Sequence, residues 1–293
     1  SFDARPFLDD LLSKAGSSEQ PPLKIQMSAD RMTALNDVIL TNVSLTAEDM
    51  GNYWSKALLT ANFANGTTAA EANKSLSFEL SSNETGRKLR LNTNDAGRAV
   101  LGSGLFINAQ SGVLALEADI KGVGDELTAT GELEIDDFRL VKSSSLVQAI
   151  AQARGQDIDK MLSDGGMSFN QLVLPFTITK DVIDFPKSIA NGSSIGFTME
   201  GQLSRDLKQV NINGVVIPAY ALNALISNIP LVGNLLVGGK GEGLFAIPYR
   251  ISGPTSNPNV SANAAAALAP GLLRGLFEGK KGTVDTTKPS NDN

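Results

Sequence analysis

Residues 114–120 read LALEADI. Leu114, Leu116, Ala118 and Ile120 alternate with Ala115, Glu117 and Asp119. Successive side chains of a β-strand point to opposite faces, so this stretch has one wholly apolar face and one largely polar face. The same period of two recurs on both sides of it. Upstream it is carried by Leu23, Ile25 and Met27, by Ala57, Leu59, Ala61 and Phe63, by Leu76, Phe78 and Leu80, and by Leu89 and Leu91. Downstream, Leu133 and Ile135 continue it. Each run is short and bounded by Asn, Gly, Ser or Asp. The pattern predicts a series of half-buried antiparallel strands joined by tight turns. Asn65-Gly66 reads as a type I′ hairpin turn.

Further strands are expected from Gly166, from Ile195, from Gln209 and over 243–252, where Pro248 requires a bulge or an edge. Helices are few. An amphipathic helix is expected over 4–15, ahead of the breaker GSSEQPP at 16–22. One or two helical turns capped by Asp95 are expected over 95–101. A helix over 145–154 stops at Gly155, and another turn follows over 157–162. Pro218 starts a helix over 218–227, and a last helix over 263–277 is interrupted at Pro270-Gly271. The chain divides into an N-terminal helix and linker (1–22), a β domain (23–278) and a solvated tail (279–293).

Composition narrows the chemistry. The 293 residues are 42% hydrophobic, enough for an apolar core. The aromatics are 12 Phe, 3 Tyr and 1 Trp, few for a protein that stacks on bases. The net charge of −6 opposes phosphate backbones, so no nucleic-acid partner is expected. Histidine and cysteine are absent. That excludes Ser-His-Asp and Cys-His catalysis, zinc fingers and thiolate clusters, and leaves carboxylate, Ser-Lys and hard-metal chemistry open. The start, SFDARPFLDDLLSKAG, lacks the basic and apolar regions of a signal peptide. No apolar run is long enough for a transmembrane helix. The chain reads as a soluble piece of something longer that carries its own targeting.

The tempting motifs have plain explanations. GGKGEG at 238–243 lacks the upstream glycine and the Ser or Thr of a phosphate-binding loop, since Asn234 and Gly241 stand there. Asp136 and Asp137 are adjacent, so on a strand they face opposite ways and share no proton or metal. They read as a strand-end turn before Phe138. Asp181, Asp184 and Glu200 read as solvated turn acids, and Trp54 as an anchor packed on the sheet. No enzyme activity, catalytic residue, metal site or cofactor is expected.

The strand stripes outnumber the helices available to cover them. Either the sheet folds over as a sandwich, or it curls and leaves an apolar trough that needs a ligand. Periodicity alone leaves both open.

Residues 214–277 read GVVIPAYALNALISNIPLVGNLLVGGKGEGLFAIPYRISGPTSNPNVSANAAAALAPGLLRGLF. Upstream stand LRLNTNDAGRAVLGSGLFINAQSGVLALEADI, GELEIDDFRLVKSSSLVQAIAQA and MLSDGGMSFNQLVLPFTITKDVI. These stretches resemble the C-terminal region of the AsmA-like proteins of Gram-negative bacteria, in particular the large YhdP-type branch. The resemblance is densest after Leu203. It implies a mainly β fold, a long curled antiparallel sheet forming an apolar groove, with short helices at connections and at the C-terminal end. It also implies a periplasmic protein held in the inner membrane by an N-terminal segment absent from this chain. The implied partners are phospholipid and an outer-membrane or periplasmic protein. The implied function is shielding of acyl chains during lipid transport between the two membranes, in support of outer-membrane integrity. A module that docks an outer-membrane partner without carrying lipid is the alternative. On the groove reading, one strand face supplies the lining, and the candidates are Leu133, Ile135, Ile195, Phe197, Met199, Val210, Ile212, Phe245, Ile247 and Tyr249. The helices over 218–229 and 264–277 are expected to cap the groove or touch a membrane or partner.

Overall fold

The computed structural model describes residues 21–64, 74–103, 109–141, 166–193, 195–218 and 247–262. They form thirteen strands: β1 (Leu23–Thr33), β2 (Ile39–Asp49), β3 (Trp54–Phe63), β4 (Ser75–Asn83), β5 (Gly86–Thr93), β6 (Ala109–Lys121), β7 (Thr128–Leu140), β8 (Met167–Ile178), β9 (Val182–Gly192), β10 (Ile195–Ser204), β11 (Gln209–Pro218), β12 (Ile247–Pro254) and β13 (Asn259–Ala262). One helix, α1 (Ala96–Ser103), lies between β5 and β6. The fold is mainly β, as the alternating stripes predict. The strands form a single antiparallel sheet in sequence order, which starts at β1, ends at β13 and does not close.

Contacts divide the chain into two compact units. The first is Ser1–Phe138 with Pro175–Lys180, and the second is Arg139–Leu174 with Asp181–Asn293.

In the first unit the register lines up side chains across six strands. Ile25, Ala47, Ala57, Leu80, Leu89 and Ala118 form one row. Met27, Leu45, Leu59, Phe78, Leu91 and Leu116 form the next row on the same face. The opposite face carries Gln26, Thr46, Leu58, Glu79, Arg90 and Glu117 in one row, and Ser28, Ser44, Thr60, Ser77, Asn92 and Ala115 in another. One face is thus apolar and the other almost wholly polar. On the polar face Arg90 Nε stands 3.1 Å from Glu117 Oε1 and Lys88 Nζ stands 3.4 Å from Glu117 Oε2. Such exposed pairs add little stability.

One buried cluster draws together Ala47, Trp54, Ala57, Phe78, Leu80, Ile120, Leu127 and Ala129, with Ile178 packed against it. Strands as distant in the order as β2 and β7 share this cluster. A second cluster holds Val38, Leu40, Val43, Ala61 and Phe63, with Ala99 of α1 against it. Trp54 is a core anchor, as expected.

Bulges keep the apolar face continuous. Asn42 has φ +50 and is skipped in the β2–β3 pairing between Thr41 and Ser44. It moves the buried set from Leu40 to Val43. Asp137, with φ +51, does the same in β7, where Ile135 is buried and then Phe138 and Leu140 are. Asp137 is therefore a bulge residue within a strand and not a strand-end turn.

α1 is the helix expected over 95–101. Asp95 Oδ1 accepts a hydrogen bond from the Arg98 N–H at 3.0 Å, which is the predicted N-cap. Asp95 Oδ2 accepts from Arg98 Nε at 2.6 Å, and Arg98 Nη1 donates to the Ala64 carbonyl at 2.8 Å. Gly97 lets the helix press onto β6, because a Cβ there would stand 2.7 Å from Gln110 Cα.

Several expectations change. β3 ends at Phe63, β4 starts at Ser75 and Asn62 pairs with Ser75; Asn65-Gly66 itself lies outside the described residues. Pro218 does not start a helix. It ends β11, opposite Ile195. Asp184 and Glu200 stand in β9 and β10 rather than in turns, and Asp184 accepts a hydrogen bond from Gln202 Nε2 at 3.1 Å. Pro248 pairs with Val215 in unbroken register, and Tyr249 pairs with Ala262, the last described residue of β13. The helices expected over 4–15, 145–154, 157–162 and 263–277, the rest of 218–227, GGKGEG and the tail lie outside the described residues.

Candidate functional site

Seven of the ten candidate lining residues share one face of the second unit. Phe197 pairs with Val216, which pairs with Ile247. Met199 pairs with Gly214, which pairs with Tyr249. Ile212 and Val210 follow on β11 at the same parity, and Ile195 precedes Phe197 on β10. The period of two placed these side chains together correctly. Leu133 and Ile135 stand in the first unit at the parity of Ala129, a member of its larger buried cluster. Phe245 lies outside the described residues.

Exposure separates these candidates from an open lining. Ile135, Ile195, Phe197, Val210, Ile212, Ile247 and Tyr249 are only 2–5% exposed. Leu133 and Met199 are half-buried. Phe169 and Phe197 meet edge to face, with centroids 5.2 Å apart. The Tyr249 hydroxyl donates to the Thr198 carbonyl at 2.9 Å, and burial pushes the phenol pKa far above its ordinary value. The face is packed core in this state. β10 and β11 are also buried on their other face, where Thr198, Val215 and Ile217 stand. The unbroken run VVI at 215–217 is the sequence mark of a strand buried on both sides.

The first unit differs. In its row Met27, Leu45, Leu59, Phe78, Leu91 and Leu116, all but Phe78 are half-buried. By a strand spacing of about 4.8 Å, the row runs about 24 Å across the strands. All but Leu45 of these side chains were legible as strand stripes, but none was among the lining candidates. The missing signal was register: only cross-strand pairing shows that five separate stripes and β2 align into one band.

The band is bounded at both ends of the strands. At one end α1 packs over Phe63, and Arg98 lies over the Phe63 ring at 5.2 Å. At the other end stands Arg87, opposite Ile120. Arg87 is 6% exposed. Its Nη1 donates to the Trp54 carbonyl at 3.3 Å and its Nη2 to the Gly122 carbonyl at 3.2 Å. The guanidinium lies 5.6 Å from the Tyr53 ring centroid. Burial lowers its pKa, while Tyr53 acts in the other direction. Sequence reasoning missed this residue, because an arginine in a strand run looks like a solvated face.

Among the described residues no group of three or more Asp or Glu side chains is placed to hold a metal ion. No described helix is long and apolar enough to cross a membrane. No protein-family model, curated protein or solved structure matches the chain.

Proposed function

We propose that this chain is a β-groove module that shields phospholipid acyl chains and contributes to lipid transport between the inner and outer membranes, and so to outer-membrane integrity. The half-buried band from Met27 to Leu116 carries the proposal. It is continuous over six strands, built from aliphatic side chains and one phenyl ring, and backed by a polar outer face. An acyl chain of about 15 methylenes costs roughly 12 kcal/mol to hold in water, at about 0.8 kcal/mol per methylene. A continuous apolar band removes much of that cost without a nucleophile, a metal or a histidine. The periplasmic setting and inner-membrane anchorage are what the sequence resemblance to the AsmA-like proteins implies. The test is mass spectrometry of organic extracts of the purified protein, with a photoactivatable residue at Leu59 to mark contact with acyl chains. Absence of both phospholipid and crosslink overturns the reading.

A second reading has its own support. The packed face of the second unit, with Phe197 and Tyr249 almost fully buried, suits a module that docks a partner without carrying lipid. Lipid-free protein that still captures an outer-membrane protein favours it.

A further inference from the structure

We propose that the Arg87 end of the apolar band is an anion site that takes the phosphodiester of an amphiphile whose chain lies along the band. The inference rests on the lipid-shielding reading for the chain, and on Arg87 itself for the anion.

Arg87 is the only buried cation among the described residues. It has no carboxylate within ion-pair distance among them; its partners are two carbonyl oxygens and the Tyr53 ring. A buried charge is ordinarily matched by an opposite one. The acid at the same end of the strands, Asp49, is also buried, and its Oδ1 accepts from the Gly51 N–H at 2.8 Å. It forms no ion pair with Arg87. A guanidinium has five N–H donors, and the two carbonyls take two. The three N–H groups left over are donors of the kind a tetrahedral oxyanion takes.

Position ties this cation to the band. Arg87 shares the parity of Leu89 and Leu91 in β5, so it stands on the apolar face, one residue pair beyond the row of Leu80, Leu89 and Ala118. The loops at this end carry Met50 and Val123, 49% and 41% exposed, and β1 begins there with Leu23 at 51%. An amphiphile lying on the band would meet its one buried positive charge at the border with water. A phosphodiester belongs at such a border. Inorganic phosphate offers the same oxygens, so the experiment separates the two sources.

Binding of two fluorescent amphiphiles with identical acyl chains is compared: a phosphatidylcholine, and a diacylglycerol without phosphate. Wild type is expected to prefer the phosphatidylcholine about tenfold or more, as a charge-assisted hydrogen bond allows. Arg87→Gln is expected to erase the preference while diacylglycerol binding stays. Arg87→Lys is expected to keep part of it. In parallel, the Arg87 Nε–H resonance of the wild-type protein is followed during titration with inorganic phosphate. A shift without lipid preference assigns a site for free phosphate and retains the anion site alone. Equal affinity of wild type for both amphiphiles, with no phosphate-induced shift, overturns the proposal and leaves Arg87 as a clamp between two loops. Failure of both amphiphiles to bind sinks the lipid reading instead, and the phosphate titration then decides the anion site by itself. The wild-type measurements decide the matter even where Arg87→Gln fails to fold.

Discussion

Tyr249 lies against Gly214, the residue opposite it on the neighbouring strand: a Cβ built on Gly214 would stand 2.4 Å from Tyr249 Cζ and 2.0 Å from the Thr198 carbonyl oxygen. The ring occupies the space that the missing side chain leaves, and its hydroxyl reaches Thr198 one strand further on. Gly214→Ala is expected to destabilise the second unit by about 2 kcal/mol or more, because either the ring or β10 must move. A shift of the urea midpoint at unchanged slope is the measurement.

The same tyrosine makes stability fall at alkaline pH. Its folded pKa lies above the unfolded value of 10.0 because burial disfavours the phenolate. A group with a raised folded pKa stabilises fully below its unfolded pKa and loses that contribution as pH rises through and beyond it. Unfolding titrations are expected to show a loss of stability above about pH 10, and Tyr249→Phe is expected to flatten it. At neutral pH that variant loses a buried hydrogen bond worth about 1 kcal/mol.

Aspartate at half-buried and buried positions gives opposite outcomes. Leu59→Asp with Leu91→Asp is expected to leave a folded protein, by circular dichroism, that no longer carries lipid. Phe197→Asp puts a carboxylate into packed core and is expected to cost about 4 kcal/mol or more. A folded, lipid-bearing Leu59→Asp/Leu91→Asp protein would show that the band does not line the lipid site.

Asp95 caps α1 and holds Arg98, which in turn reaches Ala64. Asp95→Ala is expected to cost about 1–2 kcal/mol through the cap alone. A thermal melt reads the loss, and Asp95→Asn is expected to restore part of it.

Glu117 on the polar face is held below the ordinary glutamate pKa, first by its hydrogen bond from Arg90 and then by that from Lys88. A depressed folded pKa means a contribution present above the unfolded pKa and lost as pH falls through the folded one. An NMR titration is expected to place the Glu117 midpoint below that of an isolated glutamate. Arg90→Ala is expected to raise it, and added salt to reduce the difference.

Period two made the strands legible because each sheet face meets one environment. It also placed Phe197, Ile212 and Tyr249 on one face, since parity along a strand survives any uncertainty about partners. It did not reveal that this face is packed. Burial depends on what lies over the sheet, and nothing in residues 195–217 encodes that except the run VVI. The bulges at Asn42 and Asp137 were equally hidden, because a left-handed Asn or Asp looks in sequence like a turn. The band in the first unit needed register, which no single stripe contains.

The two longest connections of the first unit, 64–74 and 94–108, both stand at the α1 end. At the Arg87 end of the first unit the links are 50–53, 84–85 and 122–127; at the α1 end they are 34–38, 64–74 and 94–108. In a meander, inserting one strand would reverse every strand after it and carry each later link to the opposite end. The two ends would then be exchanged for the remainder of the sheet. Growth or loss in this architecture is therefore counted in hairpins.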